Sequence, residues 1–218
     1  MEGDLSGVVK LAEKRRRETR ERIVKTAREL FSKRGYHNTQ VMDIVNELGM
    51  SAGTFYNYFK DKRELFLQIS KENFINLRIK LKELRKIPNP ENVQGRINRF
   101  RDTFSAFFDF VDDNPEQMLM MLRGGFGVDE ELDAGFWEEM SIAAEDIADD
   151  FQQWIERDIS AGFNPLVAGH AAVGMTWQVA HSYLVDGKFT REEAIDYLVN
   201  ISTFATHGFL TEKGKNLL

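Results

Sequence analysis

Apolar residues recur at spacings of three and four along almost the whole of this chain, and no stretch alternates apolar with polar one residue at a time. An α-helix turns once in about 3.6 residues, so this spacing gathers side chains on one helix face, whereas a half-buried strand needs a period of two. The chain therefore reads as all-α. Ile23, Val24, Ala27, Leu30 and Phe31 form the first clear stripe, over residues 18 to 34, and Gly35 follows as a stop. Val41, Ile44, Val45 and Leu48 form a second, with Thr39 as its expected cap and Gly49 at its end. Ser51 is the expected cap of a third, short helix from Ala52 to about Phe59. Asp61 and Glu64 make a capping box for a fourth, which should run from Lys62 to about Lys86, where Pro88-Asn89-Pro90 stops it. Beyond the prolines, helices are expected at about 91 to 112, 115 to 123, 129 or 137 to 161, 165 to 186, and 190 to 207, punctuated by Pro115, Asn164-Pro165, Gly187 and the Thr190/Glu193 capping box.

With 218 residues and no cysteine, the chain can bury a sizeable core but has no disulfide, thiolate nucleophile or cysteine-ligated metal. No apolar run approaches the roughly 18 residues of a membrane span, and the N-terminal segment does not have the layout of a signal peptide. A cytoplasmic protein without membrane contact is expected. The net charge of -6 is unevenly spread: residues 1 to 66 carry 14 Lys or Arg against 10 Asp or Glu, and the remaining residues carry 15 against 25. The front suits an anionic partner and the rest does not.

The third helix shows which partner. At about 100° per residue, Ala52, Phe55 and Phe59 fall on one side, Gly53, Thr54 and Asn57 on the other, with Tyr56 and Tyr58 on the flanks. The phenylalanines can pin the helix to its two predecessors. The opposite side offers a small residue, hydrogen-bonding side chains and phenols, which suits base edges and phosphates in a major groove. Two helices joined by the tight turn Leu48-Gly49-Met50-Ser51 form a helix-turn-helix.

The stretch "RIVKTARELFSKRGYHNTQVMDIVNELGMSAGTFYNYFKDKRELF" resembles the DNA-binding domain of the tetracycline-repressor (TetR) family of transcriptional regulators. Phe31, Gly35, Tyr36, Thr39, Ile44, Gly49, Ser51, Gly53, Phe55, Tyr56, Tyr58, Phe59, Lys62 and Leu65 match that family's pattern at its fixed spacings. The resemblance covers roughly residues 20 to 66. It implies a DNA-binding domain at 18–66 and an effector-binding and dimerisation domain at 67–218, behind a stretch at 1–17 that the sequence itself marks as a basic, disordered arm. It makes Thr39, Tyr56 and Lys62 phosphate or sugar contacts; Gln40, Thr54, Asn57 and Tyr58 are candidates for bases, with Ser51 and Gly53 completing the surface. Asn57 stands where the family varies and Ala52 is small, so no operator sequence carries over.

A single helix-turn-helix reads few base pairs, and such proteins pair to read two half-sites. A homodimer on double-stranded DNA with an inverted-repeat operator is expected. Its interface is sought on the last two long helices, at Ala168, Ala172, Met175, Leu198, Ile201 and Ala205, where small and apolar residues cluster. The middle helices are rich in aromatic residues and Met, side chains that can frame a cavity. The resemblance implies an effector pocket there, with candidates Phe104, Phe107, Phe108, Met118, Met121, Arg123, Trp137, Met140, Trp177 and His181. The expected regulator is a repressor released from DNA by a small, largely apolar effector.

No enzyme is expected, and no cofactor or metal. A carboxylate-bridged metal site in a helical bundle needs Glu three residues before His, but Arg34, Val167, Gln178 and Phe204 precede the four histidines at that spacing. "RGGFG" at 123 to 127 follows no strand that would make it a phosphate cradle. An alternative is a helix-turn-helix protein whose large domain only assembles with another protein.

Overall fold

The structure, a computed structural model, describes residues 2–85, 92–124 and 130–215. Their elements are α1 (Glu2–Arg34), α2 (Val41–Leu48), α3 (Ala52–Tyr56), α4 (Lys62–Arg85), α5 (Val93–Asp113), α6 (Pro115–Gly124), α7 (Glu130–Glu156), α8 (Pro165–Leu184), α9 (Arg191–His207) and a short α10 (Glu212–Lys215). Among the described residues there is no strand, only the isolated pairing of Ser160 with Leu210.

Two expectations at the front of the chain need correction. The stretch 1–17 is helical from Glu2 onward, continuous with the rest of α1. Lys14 faces Glu18 and Arg17 faces Glu21 one turn apart, pairs that support helix where no core does. The third helix is also shorter than its apolar pattern suggests. It ends at Tyr56 with Asn57 as C-cap, and Phe59 is reached through turn hydrogen bonds to the Phe55 carbonyl. Two further stretches fall outside the described residues: 86–91, with the proline break, and 125–129, with most of the Gly-rich sequence. The Glu212–Lys215 helix had no sequence signal long enough to find it.

The chain divides into two compact units, Met1–Glu72 with Glu116–Asp133, and Asn73–Pro115 with Ala134–Leu218. In the first, Ile23, Ala27, Phe31, Ile44, Phe55, Leu65 and Ile69 are fully buried. Phe31 meets Phe66 edge-on at 5.3 Å, and Tyr36 meets Phe66 at 4.9 Å. The arrangement follows the sequence stripes, with Gly35 and Gly49 at positive φ (77° and 63°) closing α1 and α2 in a conformation that side chains disfavour.

The second unit is built from the end of α4 with α5, α7, α8 and α9. α9 lies against α5 and α8 through Ala194, Ile195, Leu198 and Val199, all buried. α8 and α7 come close at Gly169, where a Cβ would fall 2.2 Å from the Ala144 carbonyl oxygen. Only glycine permits that approach.

Candidate functional site

The helix-turn-helix surface is built from capping chemistry. Asp43 accepts the Gln40 backbone N–H at 2.7 Å, so α2 starts from Gln40 and not from Thr39. Ser51 Oγ accepts the Thr54 N–H at 3.2 Å and lies 3.0 Å from Thr54 Oγ1, which fixes the start of α3. Phe55 and Phe59 are buried, and what α3 leaves outside is Gly53, Tyr56 and Asn57, with Thr54 and Tyr58 half-buried. A Cβ on Gly53 would meet nothing nearer than Ser51 Oγ at 3.8 Å, so the protein itself does not demand glycine there.

Two residues matched to backbone contacts by resemblance have other employment. Thr39 is fully buried, and its hydroxyl donates to the Gly35 carbonyl at 2.9 Å. Its side chain ties the α1–α2 connection together and presents nothing to a phosphate. Lys62 Nζ donates to the carbonyls of Tyr36 and Thr39, both at 2.7 Å, and sits 4.2 Å from the Tyr36 ring centre. Burial lowers its pKa, against the opposing pull of Asp43. This ammonium clamps the start of α4 to the α1–α2 connection, a role that spacing alone could not separate from an exposed first-turn lysine.

The second unit contains a cavity of about 570 Å³, within the roughly 300–1,000 Å³ range of small-molecule sites. Phe74, Leu77 and Arg78 of α4, Phe100, Phe104 and Phe107 of α5, Met140 and Trp154 of α7, and Trp177 of α8 contribute to its wall. Phe104, Phe107, Met140 and Trp177 are thus brought together as expected. The α4, Trp154 and Thr176 contributions were missed, because a residue's place on a cavity wall depends on helix pairings that spacing does not encode.

The other expected pocket residues lie elsewhere. Phe108 is completely buried against Phe107 and Tyr183, with ring centres 5.4 and 5.5 Å away, and does not reach the cavity. Trp137 is 56% exposed, because its neighbour Phe136 takes the inward position, edge-on to Phe74 and Trp177. Met118 and Met121 are buried in the first unit. His181 is not on the wall, and the Arg123 side chain lies outside the described residues.

The expected dimer residues also separate. Leu198 is fully buried within the chain and cannot face a second copy, since the α9 stripe it belongs to packs inward. Ala168, Ala172 and Met175 are half-buried on the cavity wall, while Ile201 and Ala205 are exposed and also border the cavity. The large apolar residues most exposed on the two helices are Val167 (65%), Tyr197 (70%) and Phe204 (85%).

Among the described residues no group of three or more His, Cys, Asp or Glu could hold a metal ion, and no helix is long and apolar enough to cross a membrane. These features define an all-α helix-turn-helix protein with a second helical unit enclosing an apolar cavity. Residues 23–69 match the family of bacterial regulatory proteins described as the tetR family.

A curated relative, the uncharacterised HTH-type transcriptional regulator YdgC of Bacillus subtilis, is 30% identical over 99 residues, covering 45% of this chain and 50% of its own. This chain thus matches about half the length of that relative. The fold extends much further. A crystal structure of a TetR-family regulator from Syntrophomonas wolfei superposes with a TM-score of 0.76 at 19% identity, over 90% of this chain and 99% of that one. AibR, solved in complex with isovaleryl coenzyme A and operator DNA, superposes with a TM-score of 0.65 at 20% identity, over 84% and 96%. Residues 23–69 thus match the DNA-binding domain of the tetR family, and most of the chain shares the fold of solved TetR-family regulators.

Proposed function

We propose that the protein is a ligand-responsive transcriptional regulator that binds an inverted-repeat operator as a homodimer and is released from it by a small, largely apolar effector. The observation that carries the DNA reading is the division of α3. Phe55 in α3 and Phe59 just beyond it are consumed by the core, while Gly53, Tyr56 and Asn57 stand exposed. Gln40, Thr54 and Tyr58 complete the reading face. Phosphates supply most of the affinity, through exposed cations such as Lys25, Lys33 and Lys60, so binding weakens steeply with salt.

The cavity supports the effector reading, and AibR, whose structure holds both an acyl-coenzyme A and operator DNA, is a precedent in a shared fold. α4 supplies Lys62 to the first unit and Phe74, Leu77 and Arg78 to the cavity wall, so one continuous helix links the two functions. An effector acts by its preference for one of two states, and about a 10⁴-fold preference carries the population from 1:99 to 99:1.

Selection of genomic DNA fragments by the purified protein tests this reading. An inverted repeat should emerge with the wild type and vanish with a Tyr56→Ala/Asn57→Ala double variant. Selection of the same fragments by both proteins would overturn the assignment of the reading face.

A further inference from the structure

Residues 10–25 carry eight Lys or Arg against three Glu, while the rest of residues 1–66 carries six against seven. The positive excess at the front of the chain therefore sits in one place, the N-terminal half of α1. That half has no core to serve. Among the described side chains of α1 the first buried one is Ile23, and every side chain from Val8 to Glu18 is exposed. Lys10 to Arg22 is thus a helical rod about 20 Å long with no buried side chain.

The cations of this rod are largely uncommitted. Lys14 faces Glu18 at 3.9 Å and Arg17 faces Glu21 at 3.8 Å, exposed pairs of small net worth. Arg15, Arg16 and Arg22 face no carboxylate among the described residues. Arg20 is placed: its guanidinium lies over the Phe59 ring, 5.1 Å from the centre. Phe59 is buried three residues beyond Tyr56 of the reading face, and Lys60 beside it is exposed. The basic rod therefore leaves the core at the edge of the reading helix, and Arg16, one turn before Arg20, continues the same face outward.

Two kinds of anionic surface fit a basic helix, a nucleic-acid backbone and a bilayer rich in acidic lipid. A helix that lies in a bilayer interface needs an apolar face opposite its cations. At 100° per residue, Lys10, Lys14, Arg15, Arg16, Arg20 and Arg17 stand at about 0°, 40°, 140°, 240°, 280° and 340°, so cations point to every side. Between Lys10 and Arg22 only Leu11 and Ala12 are apolar. The charge distribution favours DNA.

We propose that the N-terminal half of α1 is a second DNA-contacting element, lying on the phosphate backbone outside the half-site that α3 reads. The inference rests on the reading of the first unit as a DNA-binding domain. Phosphates are the same at every base step, so this contact adds affinity and lengthens the footprint without adding specificity. A rod of about 20 Å reaches along about six base pairs at roughly 3.4 Å each. Each phosphate neutralised releases condensed counterions and steepens the salt dependence by about 0.9.

The test is titration of the full chain with two duplexes carrying the repeat recovered by fragment selection, one ending at the repeat and one continuing a helical turn beyond it on both sides. It is run over a series of salt concentrations on wild type, Arg15→Gln/Arg16→Gln and Arg15→Lys/Arg16→Lys, with sedimentation on phosphatidylglycerol vesicles alongside. Wild type should bind the longer duplex roughly tenfold more tightly and with a steeper salt slope. The Gln pair should lose most of that gain, its slope on the longer duplex falling by about 2 per protomer, and should match wild type on the shorter one. It should also weaken on mixed-sequence DNA, because the contact reads no bases. The Lys pair should keep the gain, and all three proteins should melt together, since no core side chain is changed. Equal affinity and slope of wild type on the two duplexes, or a Gln pair indistinguishable from wild type on DNA, overturns this second contact and leaves the DNA-binding reading standing. Vesicle sedimentation lost in the Gln pair with DNA binding unchanged overturns it in favour of a bilayer. No binding of wild type to any duplex, mixed-sequence DNA included, overturns the DNA-binding reading and this contact together.

Discussion

Phe55 and Tyr56 are adjacent aromatic residues with their ring centres 5.4 Å apart and their planes at 89°, yet Phe55 is fully buried and Tyr56 is 55% exposed. One step of about 100° around a helix separates a core residue from a surface residue. The pair therefore allows folding and DNA binding to be disabled one at a time.

Phe55→Ala should lose about 3–5 kcal/mol of folding stability, as buried Phe truncations do. Tyr56→Ala should leave the melting temperature near that of wild type and weaken operator binding by about 1–3 kcal/mol, the scale of one good contact. Thermal melts and operator titrations on both variants decide the matter. A collapse of Tyr56→Ala, or full stability in Phe55→Ala, would reverse the assigned faces.

The Thr39 and Lys62 contacts separate structural from DNA-binding roles. Thr39→Val keeps the shape but removes the hydroxyl, leaving the Gly35 carbonyl without its side-chain donor. It should cost about 1–3 kcal/mol of stability, the penalty of an unsatisfied buried polar group. Lys62→Met strips the Tyr36 and Thr39 carbonyls of their ammonium, and a loss of about 1.5–3 kcal/mol is expected for bonds to a charged donor. Its operator affinity should keep the wild-type salt dependence. A slope reduced by about 1 would instead reveal a lost phosphate contact.

These two residues also mark how far a sequence carries. The stripe Ile23, Ala27, Phe31 and the pair Phe55/Phe59 specify their buried faces by spacing, and every one of them is buried. Helix boundaries follow from caps and breakers, so α4, α8 and α9 lie within a few residues of expectation. Thr39 and Lys62 fit their motif whether they touch DNA or hold the fold, and only the burial of Thr39 and the hydrogen bonds of both side chains to backbone carbonyls distinguish the two. The cavity was legible in its aromatic chemistry but not as a residue set, and the expected Met118 and Met121 belong to the first unit. Trp137 and Phe136 are both aromatic, and a single helical step decides which one packs inward.

The α9 capping box links stability to pH. The backbone N–H and hydroxyl of Thr190 both donate to Glu193 at 2.8 Å, and these bonds hold the Glu193 carboxyl below its usual pKa of 4.5. A carboxyl depressed in the folded state stabilises the fold above its unfolded pKa, and that contribution is lost as pH falls through the lower folded value. Glu193→Gln should therefore flatten the acid limb of a stability–pH curve below about pH 4.5. An acid limb identical to that of wild type would remove Glu193 from the linkage.

On α9, Tyr197, Ile201 and Phe204 follow one another at i, i+4 and i+7, and are 70%, 47% and 85% exposed. Val167 on α8 adds another apolar side chain at 65% exposure. Large apolar groups grouped on one face mark an interaction surface, and pairing of two copies would place two reading helices on one operator. Phe204 contributes almost nothing to the chain's own core, so Phe204→Asp should leave the fold and its melting behaviour intact while placing a charge in the centre of the proposed interface. Light scattering should then find a dimer for the wild type and a monomer for the variant. Operator affinity should fall by roughly 10²-fold or more, the scale of losing a linked second site, while the apolar cavity keeps its ligand affinity. A Phe204→Asp protein that remains dimeric would move the interface away from this face, because a buried, unpaired carboxylate at its centre could not be tolerated.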